Sequence, residues 1–328
     1  MLEEPSAPRA VPVLFSTRDL PQPSTGWSDL AFQALPDGAL ARFQADFDVL
    51  AEMRRRRAAK VSDPRPWPPY PADARARIQI HDGRREDTAL ELALTTTFPR
   101  FDRLPDGRWV VANARCRPRE LNACIIGAEG SATAPFTLGD GIADVQADEA
   151  GALWVGYFDE GVWGADPEET EPPLGASGLN RFSPEGRLLW SHEPGAEGAA
   201  GRPILDCEAL NVFAQQAWCC GDTPGLAGGH GSALFQFEAG RERCWDSDFF
   251  LAKAIAVRDD RAAAIVYGSD GPYVLTELAL GPTGVTNLGD RPLPDLGLDG
   301  TSTAALLGRG PRLHIVEGST WSVLTLDI

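Results

Sequence analysis

Histidine, methionine and cysteine are scarce in this sequence, with four, two and six copies among 328 residues. Six cysteines are too few for a disulfide framework in a chain of this length, and Cys219 and Cys220 are adjacent. We therefore expect reduced thiols and a cytoplasmic protein. The C-x-x-C pairs of structural zinc modules do not occur, which excludes the common zinc-binding classes.

Long apolar runs and an excess of positive charge are missing as well. No run of about 18 apolar residues could cross a membrane, and residues 1–10 lack the basic start and apolar core of a secretory signal. The chain has 30 basic against 47 acidic residues, a net charge of −17. Because such a surface repels phosphate groups, we expect neither a nucleic acid nor a membrane as partner. An unknown protein or a small cationic ligand fits the charge better.

Glycine and proline are abundant, with 34 and 27 copies, and they recur in a repeated phrase. Phe-x-x-Leu-Pro-Asp-Gly occurs at 32–38 and at 101–107, each time before a short apolar strand. A related turn ends at Gly151 and precedes Leu153-Trp-Val-Gly156. Proline and glycine supply the backbone angles of tight turns, so each unit is predicted to be a strand, a turn and a second strand.

The spacing of these units predicts the fold. One apolar position on each second strand marks a unit, and successive markers are 69, 45, 64, 47 and 50 residues apart: Leu40, Trp109, Trp154, Trp218, Ile265 and Ile315. The short intervals are typical of four-stranded propeller blades, and the two long ones contain insertions at 44–75 and about 160–178. We expect an all-β, single-domain β-propeller over residues 1–328 with six four-stranded blades. Five or seven blades stay open because the first insertion is large.

Three local predictions follow from this arrangement. The last unit has only three strands, so we expect residues 11–16 to pair with residues 320–327 and close the ring. Trp109, Trp154 and Trp218 should be buried between blades at the same strand position. The first insertion should begin with a helix capped by Asp46 and continue as a Pro-rich segment, residues 64–71. That segment is either a structural strap or a docking peptide.

One blade carries a family resemblance. The residues Gly151-Ala-Leu-Trp-Val-Gly156, followed by Gly178-Leu-Asn-Arg-Phe182, resemble the repeat of two-component-regulator-type propellers. Ala150 stands where that repeat has Asp, Tyr157 where it has Thr, and an acidic insertion separates the two halves. The phrase Gly-Tyr-Phe-Asp-Glu-Gly-Val at 156–162 is also similar to one in a group of bacterial propeller proteins. The resemblance implies the propeller fold, which hosts sensors, scaffolds, lyases and hydrolases alike.

The candidate site residues come from the face that should carry the long insertions. In a propeller, loops that leave the second strand share a face with loops that enter the first strand, and functional residues favour such loops. Glu208 precedes Trp218 by the same ten residues that separate Asp144 from Trp154, so we expect both carboxylates at equivalent positions facing the channel. The full set of candidate binding residues is Asp144, Tyr157, Asp159, Glu160, Glu208 and His230.

Two functions are compatible with these residues. The first is a non-enzymatic ligand- or protein-binding propeller, because no G-x-S-x-G nucleophile elbow or other complete catalytic set occurs. The second is a calcium-dependent hydrolase or lactonase of the six-bladed type, with Asp144 and Glu208 as metal ligands. The first interpretation implies no cofactor and the second a divalent cation. We favour the binding protein and expect a monomer.

Overall fold

Strands make up most of the regular structure in this computed structural model. It describes residues 13–59, 70–84, 86–117, 119–164, 171–195, 201–224, 230–238, 241–247, 252–267, 273–282, 284–293 and 304–327. The described strands are β1 (Val13–Asp19), β2 (Ser28–Ala34), β3 (Leu40–Ala45), β4 (Arg75–His81), β5 (Glu86–Ala93), β6 (Pro99–Arg103), β7 (Trp109–Asn113), β8 (Ala123–Ile126), β9 (Ile142–Ala147), β10 (Leu153–Tyr157), β11 (Leu179–Phe182), β12 (Leu188–Ser191), β13 (Asp206–Phe213), β14 (Gln216–Pro224), β15 (His230–Glu238), β16 (Arg241–Ser247), β17 (Ala254–Arg258), β18 (Arg261–Tyr267), β19 (Tyr273–Leu280), β20 (Val285–Pro292), β21 (Ala305–Arg309), β22 (Arg312–Glu317) and β23 (Thr320–Leu326). The described helices are α1 (Val49–Ala58) and α2 (Asp159–Trp163).

Six antiparallel sheets form the blades of a propeller, as the repeat spacing predicted. Blades 1 to 5 are β2–β5, β6–β8, β9–β12, β13–β16 and β17–β20, and blade 6 is β21–β23 with β1. In blade 2 the fourth position is taken by residues 132–136, which bridge to β8. The first strand of each blade contacts the first strands of both neighbours, so these six inner strands form a ring around a central channel.

The ring closes through β1, which pairs with β23 from Val13 opposite Leu326 to Asp19 opposite Thr320. This pairing confirms the predicted closure for the described residues, while residues 11 and 12 lie outside them. The pairing supplies the fourth strand of blade 6 and covers an edge that would otherwise expose unpaired backbone groups.

The hydrophobic core is divided among the six contacts between neighbouring blades. Each contact has its own cluster of buried apolar side chains. Between blades 1 and 2, for example, the ring centroids of Phe43 and Phe101 are 5.6 Å apart. Between blades 6 and 1, Trp321 packs with Leu40. Alternate side chains on each strand therefore face the preceding and the following blade, as expected for strands covered on both faces.

The three marker tryptophans are buried as predicted, but they do not share one strand position. Trp154 pairs with Gln146 and packs against blade 4, and Trp218 likewise packs against blade 5. Trp109 pairs with Arg103. It lies one residue earlier on its strand than Trp154 and Trp218 lie on theirs, and it packs against blade 1. A one-residue offset moves a side chain to the other face of a strand, so the predicted equivalence of Trp109 was wrong.

The first insertion contains the predicted helix, with a different cap. Helix α1 begins at Val49, and the Asp48 carboxylate accepts a hydrogen bond from the Ala51 amide at 2.7 Å. Asp46 instead accepts the Arg75 amide at 2.7 Å, which joins the two ends of the insertion. Of the Pro-rich segment at 64–71, residues 64–69 lie outside the described residues. Neither described helix is long and apolar enough to span a membrane.

Candidate functional site

Five buried polar side chains close the central channel, and we call them the channel plug. Each comes from the inner strand of a different blade: Gln33, Asp102, Gln146, Asn211 and Arg309. All are at most 2% exposed. In blades 1, 2 and 3 the plug residue is the fifth residue before the turn glycine, at Gly38, Gly107 and Gly151. The repeat therefore places polar groups on the propeller axis.

Hydrogen bonds across the axis hold the plug together. The Arg309 guanidinium donates to the Gln146 side-chain oxygen at 2.8 Å and lies 3.0 Å from the Asp102 carboxylate. Gln146 donates to the Leu210 carbonyl at 3.0 Å, and Asn211 donates to the Ile255 carbonyl at 2.7 Å. Buried polar groups are stable only when they are paired in this way. The plug thus links blades 2 to 6 and separates the two ends of the channel.

A cavity of about 600 Å³ lies on one side of the plug, and we call it the channel-mouth cavity. All six blades contribute to its wall, through their inner strands or, in blade 5, through Lys253 just before β17. Leu50 of α1 also lines it, so the first insertion reaches this face. A smaller cavity of about 290 Å³ lies at the opposite end, beside the turns that join the first and second strands. The volume at the mouth suits a small-molecule ligand.

Asp144 lies at the floor of the channel-mouth cavity, and both of its carboxylate oxygens accept hydrogen bonds. One oxygen accepts the Val145 amide at 2.8 Å and the Gln33 side chain at 3.2 Å, and the other accepts Gln146 at 2.8 Å. Burial raises the pKa of Asp144, against the opposing effects of the Gln146 hydrogen bond and the Arg100 charge. The Asp144 side chain is thus tied to the plug by hydrogen bonds.

Glu208 lines the same cavity and forms an ion pair with Lys253. The register of blade 4 differs from the prediction. Residues 207 and 209 pair with neighbouring residues of β14, so Glu208 is the extra residue of a β-bulge. By strand pairing, the residue of blade 4 that corresponds to Asp144 of blade 3 is Ala209. Glu208 precedes Ala209 by one residue. The predicted equivalence was therefore wrong in register, although Asp144 and Glu208 do line one cavity, because bulges redirect side chains.

Asp206, at the start of β13, is the most crowded acid of this face. Burial, together with the carboxylates of Glu208, Asp159 and Asp222, raises the pKa of Asp206 to about 7, and Lys253 acts in the opposite direction. Near the cavity, one ammonium group, that of Lys253, therefore lies among four carboxylates: those of Asp206, Glu208, Asp159 and Asp222. Like charges gathered in this way favour binding of a cation.

Arg100 lies across the cavity from this acidic group, on the inner strand of blade 2. Its Nε donates to the Ala143 carbonyl at 2.6 Å and its Nη1 to the Pro99 carbonyl at 3.3 Å. Burial lowers the pKa of Arg100, and the charge of Asp144 opposes that effect. The cavity thus has a cationic wall as well as an acidic one.

Tyr157, Asp159 and Glu160 are not among the described residues that line the cavity. Tyr157 is fully buried, and its hydroxyl donates to the Leu138 carbonyl at 2.5 Å, so it supports the second insertion and does not face solvent at the rim. Asp159 and Glu160 begin α2 on the same face, and Glu160 lies 3.4 Å from Arg115. His230 is the first residue of β15, opposite Pro224, and its side chain lies outside the described part of the structure.

Arg100 and Lys253 were not predicted from the sequence, although they supply the cavity's positive charge. Arg100 directly precedes the repeated Phe of the second unit, and Lys253 directly precedes an inner strand. A search for charged residues beside inner strands, irrespective of sign, would have found both.

Comparison with known proteins gives the fold. No family model matches the chain, and no curated protein matches it. Among solved structures, the subtype N11 neuraminidase-like protein of A/flat-faced bat/Peru/033/2010 (H18N11) is similar, with a TM-score of 0.50, 9% identity and coverage of 96% of this chain and 94% of that one. A Thermus thermophilus protein described as an oxidoreductase (glucose dehydrogenase) has a TM-score of 0.47, 12% identity and coverage of 94% and 99%. The β-propeller domain of the trilobed protease of Pyrococcus furiosus has a TM-score of 0.44, 10% identity and coverage of 89% and 79%.

At these identities the likeness shows the propeller architecture alone. It does not extend to the two-component-regulator-type repeat, so that resemblance stays a prediction for the blade containing Trp154.

Proposed function

We propose that this protein is a non-enzymatic binding propeller whose small ligand places a positively charged group in the channel-mouth cavity. The observation that carries the proposal is the cavity itself, closed at its floor by the plug and lined by charged side chains from the inner strands. Glu208 lies in its wall, and Glu208, Asp159 and Asp222 lie close enough to Asp206 to raise the pKa of that carboxyl group. A bound cation would relieve this repulsion.

The surroundings of the histidines and thiols support binding over catalysis. Three of the four histidine side chains are described, and none of these three lines the cavity. His192 contacts the Arg202 carbonyl at 2.7 Å, and burial lowers the pKa of His314 to about 3. Burial also raises the pKa of Cys220 and, to about 11, that of Cys244. Thiols in this state are weak nucleophiles.

The alternative, a calcium-dependent hydrolase, receives less support from the geometry. No group of three His, Cys, Asp or Glu side chains in the described part of the chain is arranged to hold a metal ion. Asp144 accepts hydrogen bonds from Gln33, Gln146 and an amide, and Glu208 is paired with Lys253. A calcium ion takes six to eight oxygen ligands, and these two would have to exchange their present partners first.

Titration calorimetry with hexylamine tests the proposed function. Its ammonium group suits the acidic wall, and its alkyl chain suits apolar side chains such as Phe32 and Leu306. We expect saturable binding to the unaltered protein and about tenfold weaker binding to Glu208→Gln, equivalent to roughly 1.4 kcal/mol. Glu149→Gln, which removes one charge from an exposed residue at the opposite end of the channel, should bind like the unaltered protein. No binding, or equal weakening by both variants, would overturn the proposal.

A further inference from the structure

Arg100 is partly buried in the cavity wall, and it differs from the two most deeply buried arginines, Arg42 and Arg309, in having no carboxylate at ion-pair distance among the described residues. Arg42 pairs with Asp29 at 2.7 Å, and Arg309 pairs with Asp102 at 3.0 Å. No ion pair joins Arg100 to any carboxylate among the described residues; its two hydrogen bonds go to backbone carbonyls. A guanidinium that is largely withdrawn from water and has no carboxylate at ion-pair distance can form such a pair with a negatively charged group of a ligand.

The nearest acid does not form such a pair. Asp144 influences the Arg100 pKa through its charge, but its oxygens accept from Gln33, Gln146 and the Val145 amide. The remaining terminal nitrogen of Arg100, Nη2, has no hydrogen-bond partner in the described part of the chain. Since Arg100 lines the cavity, a ligand there can reach it. A planar guanidinium matches the two oxygens of a carboxylate.

The opposite charge is available on another wall of the same cavity. Arg100 belongs to blade 2, whereas Glu208 and Lys253 belong to the contact between blades 4 and 5. Asp206 lies beside that pair, surrounded by further carboxylates. Phe32 and Leu306 add apolar surface to the cavity. The site therefore offers a cation, an acidic group and an apolar surface within one volume.

We infer that the ligand of the channel-mouth cavity is a zwitterion of the amino-acid class, with its carboxylate on Arg100 and its ammonium group on the wall formed by Glu208 and Asp206. This inference rests on the proposed function, because it specifies the ligand of the same cavity. It adds one requirement, which is that the ligand also carries a negatively charged group. The acidic wall alone would accept a simple amine. Arg100 then gains from the ligand the direct ion pair that no described carboxylate of the protein forms with it.

Three probes of similar length separate the contributions of the two walls. Hexylamine carries only the ammonium group, hexanoate only the carboxylate, and 6-aminohexanoate both. By calorimetry on the unaltered protein, 6-aminohexanoate should bind at least tenfold more tightly than hexylamine, and hexanoate should bind more weakly than either. This ranking needs no variant, so it is independent of any effect of mutation on folding.

Two substitutions on one strand then locate the effect. Arg100→Gln should remove the advantage of 6-aminohexanoate over hexylamine and leave hexylamine affinity within about twofold. Arg103→Gln is the matched control, because it removes the same charge from an exposed residue of β6 at the opposite end of the channel. That variant should retain the full advantage. Circular dichroism would verify that both variants are folded.

The outcomes distinguish this inference from the proposed function. If hexylamine binds but 6-aminohexanoate has no advantage, or if Arg100→Gln keeps the advantage, the zwitterion assignment falls and the cationic site stands. If neither hexylamine nor 6-aminohexanoate binds, the proposed function falls and the assignment falls with it. A ranking in which hexanoate binds most tightly also overturns the assignment, since the acidic wall would then play no part.

Discussion

The two ends of the central channel are built from the same six inner strands, yet their charges are balanced differently. At the hairpin end, where the first and second strands join, Asp148 accepts from Arg181 at 2.6 Å and from Trp154 at 3.1 Å. At the mouth, Asp206 is crowded by other acids and Arg100 has no carboxylate partner among the described residues. Unbalanced charges cost stability, so a protein retains them where a ligand can use them. The comparison supports the proposal that ligand recognition belongs to the mouth.

The largest effect should come from the plug that separates the two ends. Arg309→Ala leaves the Asp102 carboxylate buried without its cation and removes the hydrogen bond to Gln146. We expect a loss of ~3–5 kcal/mol in the free energy of unfolding, as for other broken buried ion pairs. Urea titration measures this loss, and Arg103→Ala, at an exposed position, should stay within about 0.5 kcal/mol. A loss below about 1 kcal/mol for Arg309→Ala would mean that the plug does not hold the blades together.

The hairpin end should respond to smaller changes in its turns. Gly151 has a φ of 83°, and an added Cβ would meet no atom closer than 4.0 Å, so Gly151→Ala should cost about 1–2 kcal/mol through backbone strain alone. In blade 4, Ala214 already has a φ of 54°, and Ala214→Gly should relieve strain and change stability in the opposite direction. In urea titrations, Gly151→Ala should lower the free energy of unfolding and Ala214→Gly should raise it. Changes in the same direction would contradict this account of the turns.

The smallest change in the free energy of unfolding should come from a substitution at the mouth, and this substitution should stabilise the protein. The pKa of Asp206 is about 7 in the folded protein and about 4 in an unfolded chain, so the folded state binds more protons between these values. This contribution to stability therefore falls as pH rises from about 4 to about 7. Asp206→Asn should flatten that part of the pH profile and stabilise the protein at pH 8, by less than about 1 kcal/mol because solvent screens the group.

Urea unfolding at pH 5 and at pH 8 measures the change, with Glu149→Gln as the control for net charge. If Asp206→Asn destabilises the protein at pH 8, the mouth is not under the repulsion described above, and the contrast between the two ends disappears.

The fold could be predicted because it depends on repeated local features. The turn ending at Gly38 recurs at Gly107 and Gly151, and each copy forms the hairpin between the first and second strands of a blade. The missing strand of the last unit predicted the pairing of β1 with β23. Turn chemistry and alternation of apolar residues are local properties, so the sequence displays them directly.

The site was less predictable because it depends on register and on contacts across the ring. The interval of ten residues between Glu208 and Trp218 concealed two compensating differences, a bulge at Glu208 and a hairpin one residue shorter than that of blade 3. Tyr157 is the last residue of the buried strand β10, and only packing against the second insertion shows that its ring faces inward. Arg100 is distinguished by a missing partner, and spacing along the chain does not predict which contacts a side chain will lack.

The plug has a consequence for how molecules enter and leave. The hydrogen-bonded side chains of Gln146 and Arg309 fill the propeller axis below the channel-mouth cavity, so we expect a ligand to enter and leave by the mouth. Molecules must exchange through the opening by which they arrived, and an occupied cavity is blocked to the next arrival. A longer molecule could insert only its tip while the rest projected from that face. We therefore expect such a cavity to accept the terminus of a chain irrespective of the length of that chain.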